Sequence, residues 1–213
     1  MSEEITRRRF IALGTALAGA TVLGGAGYAA TWAPEPELPH TRMGDGMSKV
    51  LVVYGTSTGC TAGIAERIGA TLAETGASVE VVSASVAPDP AGYDAVLVGS
   101  GVRAGSWHKA PKQWVAANAD ALKAGRVAFY TACLGMADAP QGTDEFRAYT
   151  DALIAETGVE PVDVGLFAGW NEPKTFSFVE RTILKMMKAP EGDFRDWDAI
   201  DAWTRDVAQQ LAV

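Results

Sequence analysis

The chain has 213 residues, 48% of them hydrophobic and 21% charged, enough to bury one full core with a tail to spare; its 23 glycines and 10 prolines are scattered, which excludes a collagenous or low-complexity chain. With 18 basic against 26 acidic side chains the formal charge is −8, so no basic stripe is available to track the phosphates of a nucleic acid. Two cysteines, Cys60 and Cys133, are too few for a disulfide scaffold and lack any spacing that would hold zinc.

The N-terminus reads Thr6, Arg7, Arg8, Arg9, Phe10, Ile11 and then carries no charge until Glu35, with more than half of the stretch from Phe10 to Ala33 being Gly or Ala. The arginine pair followed by Phe10 and a mildly apolar run resembles a twin-arginine export signal over residues 1–33. Such a signal implies an exported protein, either released after cleavage or held to the membrane by an uncleaved leader, because no clean small-x-small site precedes Pro34. Residues 34–46 are Pro-rich and polar without periodicity, the composition of an extended linker, and residues 47–213 are read as one domain.

Within that domain, Lys49 to Tyr54 is a continuous β-branched run of the kind buried on both faces of a parallel sheet. Ile64, Ile68 and Leu72 then recur at four-residue spacing, predicting an amphipathic helix that ends near Gly76. The unit repeats, with strands at Ser78 to Val82, Ala95 to Gly99, Arg126 to Thr131 and Val162 to Phe167, and helices at Pro111 to Lys123, Thr143 to Thr157 and Trp197 to Leu211. Strict alternation predicts an α/β doubly wound five-stranded parallel sheet with helices on both faces and its ligand beyond the carboxyl ends of the strands.

The turn after the first strand runs Gly55, Thr56, Ser57, Thr58, Gly59, Cys60, Thr61. Counting four residues on from Gly55 puts Cys60 and Thr61 where a nucleoside-triphosphate loop needs Gly and Lys, and Gly55, Gly59 and Gly63 have the wrong spacing for a dinucleotide fingerprint. Four hydroxyls, a glycine and a following helix N-terminus instead suit a terminal phosphate monoester held without any cation. A hydroxyl-rich helix cap with no ligand is the alternative.

The run Thr56-Ser57-Thr58-Gly59-Cys60-Thr61 matches the Thr-x-Thr-Gly-x-Thr phosphate loop of the flavodoxin superfamily, and the resemblance spans residues 48–213. Within that superfamily the chain is similar to the menaquinone-dependent protoporphyrinogen dehydrogenase branch, through Gly99-Ser100-Gly101-Val102-Arg103-Ala104-Gly105, the Trp107-His108 pair, and a long loop before a terminal Trp-containing helix. The resemblance implies FMN as cofactor. It also implies an isoalloxazine ring lying between the loop after the third strand (Ser100, Gly101, Val102, Arg103, Gly105, Trp107, His108) and the loop after the fourth (Thr131, Ala132, Cys133, Leu134, Gly135, onward to Gln141).

In that arrangement Gly101 and Gly105 would let a peptide flip toward the flavin, and Trp107 is either a flat partner for the ring or a rim aromatic. His108 is either a donor near the ring or an ordinary loop histidine, and Arg103 either balances the reduced flavin or a substrate carboxylate, or forms a surface ion pair. Cys60 and Cys133 would flank opposite ends of the cofactor, whose bulk between them leaves both as free thiols.

Between Gly169 and Asp196 the alternation stops, and Phe176, Val179, Ile183, Met186 and Met187 fall on one helical face while Arg181, Lys185 and Lys188 fall on another. Residues 174–188 carry a net +3 inside an acidic domain. That segment is either a contact for an anionic membrane, a quinone or a redox protein, or a helix packed over the sheet edge. The expected activity is a quinone-linked FMN dehydrogenase; a non-enzymatic electron shuttle is the alternative. Protoporphyrinogen is made and used inside the cell, so an exported copy is expected to serve another donor.

Overall fold

The computed structural model describes residues 36–138 and 144–213; the segment read as a twin-arginine signal and the end of the loop after the fourth strand lie outside them. In chain order the elements are β1 (Thr41–Met43), β2 (Lys49–Gly55), α1 (Cys60–Glu74), β3 (Ser78–Ser83), β4 (Ala95–Arg103), β5 (Ser106–Trp107), α2 (Lys109–Ala117), α3 (Ala119–Ala124), β6 (Val127–Cys133), α4 (Asp144–Thr157), β7 (Val164–Ala168), β8 (Trp170–Asn171), α5 (Phe178–Met186), β9 (Gly192–Asp193) and α6 (Trp197–Leu211). Short 3-10 turns follow β3, β6 and β8.

The main sheet runs β1-β3-β2-β4-β6-β7, and β2, β3, β4, β6 and β7 pair in parallel. These are the five strands read from the sequence. Each is a β-branched or aromatic run, and both faces of β2 are covered: from Val50 to Gly55 every residue is buried. On one face α1 and α6 bring Ile64, Ile68, Leu72, Ile200, Val207 and Leu211 onto Val52, Tyr54, Val81 and Tyr130. On the other, α2, α3 and α4 bring Trp114, Val115, Leu122 and Leu153 onto Leu51, Val53, Val98 and Phe129. Each such side chain contributes roughly 1.5–3 kcal/mol by leaving water, so two closed faces stabilise the sheet from both sides.

Three expectations about local structure need correction. The linker assigned to residues 34–46 is in part a component of the fold: β1 pairs antiparallel with β3, and His40 and Arg42 both reach Glu80, at 2.7 and 3.0 Å. A three-residue strand has no pattern of its own; its partner creates it. The helix expected from Pro111 to Lys123 is broken at Asn118, whose backbone leaves the helical region and whose amide nitrogen bonds the Trp114 carbonyl at 2.8 Å. The segment from Gly169 to Asp196 adds nothing to the main sheet, as expected, but it opens and closes with a separate two-stranded ribbon, β8 against β9.

The strand order places a switch point beside β2: the chain leaves it toward β3 on one side and returns to β4 on the other. The two crossovers diverge there, and a crevice opens at the carboxyl ends of β2 and β4. The turn of residues 56–59 sits at that crevice, at the N-terminus of α1.

Candidate functional site

Gly59 is the N-cap of α1 and adopts φ +89°, a conformation that glycine takes without steric cost. No side chain caps this helix and no acidic residue occupies its first turn. Its leading N–H groups and its positive dipole end are therefore left for an anion. The Thr56 hydroxyl accepts from the Gly59 N–H at 2.9 Å, which shapes the turn. Ser57 and Thr58 are half-buried, while Thr61 is buried beneath the loop after β4, its hydroxyl 2.9 Å from where a Cβ on Gly101 would stand. Gly101 is thus the residue that lets the β4 end lie over the turn. Beside it a cavity of about 340 Å³ is lined by Pro36, Leu38, Gly55, Thr56, Ser83, Ser85 and His108.

These residues fit the phosphate end of FMN: an uncapped helix start, hydroxyls around it, and no acidic residue in the first turn of the helix. One element was not foreseen. The turn was expected to bind its anion without any cation, yet the Arg195 guanidinium lies against the first turn of α1, with Nη1 3.5 Å from the Cys60 carbonyl and close enough to Gly63 that a Cβ there would stand 2.6 Å from it. Arg195 is sandwiched between the indoles of Trp170 and Trp197, 4.5 and 4.4 Å from their centroids, and doubly bonded to Asp193. That bond holds the Asp193 carboxyl below its usual range. The cation is thereby largely balanced, and its field at the turn is weakened accordingly. A Trp two residues after the last parallel strand and an Arg between Asp193 and Trp197 were the signals in the sequence, but nothing local ties them to a turn more than a hundred residues earlier.

The loop after β4 is a hairpin. Val102 pairs with Trp107 and Arg103 with Ser106, and Ala104 and Gly105 both have positive φ, the mark of a type I′ turn. This geometry corrects several expected roles. Trp107 points into the core, 4% exposed, edge-on to Phe129 at 5.7 Å, and its indole N–H donates to Thr131 at 2.9 Å; it offers no face to a flavin ring. Thr131 is fully buried and shares a 2.8 Å hydrogen bond with Thr150. Ser100 is also fully buried, donating to the Gly101 carbonyl and accepting from the His108 N–H at 2.8 Å, so its hydroxyl pins the hairpin instead of facing a ligand.

His108 lines the cavity half-buried and is not an exposed loop histidine. Its Nδ1 accepts from the Ala110 N–H at 3.3 Å as the cap of α2, and burial, with Arg103 nearby, lowers its pKa. The neutral ring then carries its proton on Nε2. Arg103 forms an ion pair with Glu180 of α5, which ties the hairpin to the basic segment.

Ala132 and Cys133 close β6 and are buried, and Leu134 and Gly135 begin the 3-10 turn beyond it; a Cβ on Gly135 would stand 2.8 Å from the Phe146 ring. Both thiols are free: Cys60 packs with Tyr130 and Ala132 on the α1 face, whereas Cys133 packs with Phe146 on the α4 face, so the sheet separates them. Burial pushes each thiol up to about 11, against the pull of Arg195 at Cys60 and of the Gly135 backbone at Cys133, and neither is a thiolate near neutral pH.

A flavodoxin-domain family model matches residues 51–198, and the chain belongs to that family. Membership supports FMN as the cofactor, in agreement with the chemistry of the turn. Among curated relatives, the chain is 24% identical over 171 residues to protoporphyrinogen IX dehydrogenase [quinone] of Escherichia coli K12, covering 75% of this chain and 94% of that protein. It is 27% identical over 172 residues to the Leishmania major protein of the same name, covering 75% and 74%. Among solved structures, an archaeal flavodoxin superposes with TM-score 0.51 at 16% identity over 78% of this chain and 99% of its own, and oxidised flavodoxin 2 of Bacillus cereus with TM-score 0.51 at 17% identity over 76% and 99%. These two share the fold.

Proposed function

We propose that the protein is an FMN-dependent electron-transfer flavoprotein acting as a quinone-linked dehydrogenase outside the cytoplasmic membrane, where a twin-arginine leader delivers it already folded. The observation that carries the reading is the uncapped, hydroxyl-rich helix start at the switch point of a flavodoxin sheet, supported by the weak likeness to the two quinone-linked dehydrogenases. When bound, FMN supplies a carrier that accepts electrons from a reduced donor and passes them to an acceptor. The chain supplies the rest: hydroxyls and amide N–H groups of residues 56–61 for the phosphate, and the Gly101 to Gly105 hairpin as a backbone edge for the ring.

The acceptor side is assigned to α5. No residue of this helix is buried, and Phe178 and Met186 are 67% and 78% exposed, so it does not pack down over the sheet edge as a covering helix would. Its Ser177/Glu180 capping box stabilises it locally, and Glu180 also holds Arg103, so the helix stands at the hairpin with Arg181, Lys185 and Lys188 exposed. Apolar and basic groups together suit the surface of an anionic membrane that contains quinone.

The test is reoxidation of the anaerobically reduced, FMN-loaded protein by menaquinone in anionic vesicles. Fast reoxidation that slows about tenfold or more when Arg181, Lys185 and Lys188 are neutralised supports both assignments, since each charge contributes up to about 1 kcal/mol of attraction to the lipid. Reoxidation by redox proteins but not by quinone would reject the dehydrogenase in favour of a shuttle. The delivery route has its own test: with Arg7 and Arg8 both changed to Lys the flavoprotein should accumulate in the cytoplasm, because charge is kept while the guanidinium geometry is lost. Unchanged export of that variant would refute the route.

A further inference from the structure

Trp170 opens the ribbon that brackets the basic segment, and it also touches the phosphate turn. Its indole Cζ2 lies 3.5 Å from where a Cβ on Gly59 would be, and its Nε1 donates to the Thr58 hydroxyl oxygen at 3.1 Å. An indole N–H can only donate. The Thr58 oxygen must therefore accept there, which leaves its single O–H to be donated in another direction. Without Trp170 that hydroxyl would rotate freely among several partners.

The indole itself is held in place. Arg195 stacks on it from one side while Trp197 backs Arg195, and Asp193, which anchors the guanidinium through two bonds of 2.8 and 2.5 Å, is the residue paired with Trp170 across the β8-β9 ribbon. Only 10% of the Arg195 side chain is exposed. The enclosed guanidinium gives up most of its hydration, while Asp193 stays 38% exposed, and the two flanking indoles hold the cation in a fixed geometry.

We infer that Trp170 is a positioning residue for phosphate recognition: it orients the Thr58 hydroxyl as a donor to the terminal phosphate of the flavin, with Arg195 locking the indole. This inference rests on the proposed phosphate role of residues 56–61. Preorientation removes the cost of selecting one rotamer at the moment of binding, and it favours ligands that carry the phosphate over those that lack it.

The test compares FMN with riboflavin in titrations of the apoprotein by flavin fluorescence quenching. Trp170→Phe keeps the ring on Arg195 and removes one N–H. FMN affinity should fall about five- to tenfold while riboflavin affinity holds, and apoprotein melting should not move. In a Thr58→Ala background the same change should leave FMN affinity where it was. An FMN preference in Trp170→Phe equal to that of the wild type, or an equal loss for both flavins, would overturn the positioning role and leave the turn's own role intact. A wild type that binds both flavins equally would instead refute the phosphate role and the inference together. Should Trp170→Phe fail to fold, Arg195→Met removes the anchor while leaving the N–H, and the same ratio of FMN to riboflavin affinity decides.

Discussion

FMN affinity should fall by about two to four orders of magnitude when Thr58 and Thr61 are both changed to Ala, with riboflavin affinity nearly unchanged. A hydrogen bond to a charged group contributes about 1.5–3 kcal/mol, and each 1.4 kcal/mol is tenfold in binding. Two donors lost together account for the range, and their closeness makes the sum approximate. Thr58 is half-buried and already oriented, whereas Thr61 is 1% exposed under Gly101 and has little freedom to find water instead. Titration of the apoprotein with both flavins measures the effect. Equal weakening of FMN and riboflavin would show that the two threonines hold up the loop and leave the phosphate to others.

The candidate phosphate turn was readable because its chemistry is contiguous: six residues, the turn 56–59 and the first two positions of α1, carry the hydroxyls, the glycine and the open amides. The ring-side loops were less so. Whether Ser100, Trp107 and Thr131 face a ligand or the interior depends on where the β4-β5 hairpin turns back, and Ala104, a non-glycine residue at φ +51°, gives no sequence signal for that turn. Once the hairpin closes, alternation along two short strands sends the Trp107 indole inward to Thr131. The Arg195 stack was illegible for another reason. Its partners are Trp170 and the Cys60 carbonyl, 135 residues away, and only the folded sheet brings the end of β7 beside the start of α1.

The five parallel strands and the terminal helix came directly from apolar runs and four-residue spacing, since burial on two faces or one stripe imposes a pattern on the residues themselves. β1 and the β8-β9 ribbon impose none, because two or three residues are too few to show a period. Their pairing is supported by Glu80 drawing in His40 and Arg42, and by Arg195, held by Asp193, stacking on Trp170. A domain boundary placed at Met47 by composition accordingly falls after a strand that the sheet uses. Carboxylates of the ribbon and of α6 tie the fold to pH. Hydrogen bonds from Arg195 hold Asp193 below its unfolded value, and those from Arg67 and Thr71 do the same for Asp201. Their contribution is present above the unfolded carboxylate range and is lost as pH falls through the depressed folded values.

Gly99→Ala should destabilise the domain by more than about 3 kcal/mol and take FMN binding with it. A Cβ at this position would stand 1.8 Å from the Tyr130 ring carbon that bears the hydroxyl, and 2.0 and 2.4 Å from its neighbours, inside van der Waals contact on three atoms. The ring has nowhere to go. Tyr130 is fully buried, packed on Phe167 and Trp203 at centroid separations of 6.4 and 6.3 Å, and its hydroxyl has no partner among the described residues. Overpacking a core by one methyl costs about 1–3 kcal/mol when neighbours yield, and more when they cannot. Gly99 and Tyr130 are direct cross-strand partners in the β4-β6 ladder, so relief through the backbone would push apart the two strands whose ends carry the proposed ring-side loops. Shortening the opposing side chain should restore much of the loss, which makes Gly99→Ala with Tyr130→Ala less unstable than the two single changes added together. Urea unfolding of the four proteins measures the coupling, and additive losses would mean that the strands, not the ring, absorb the methyl.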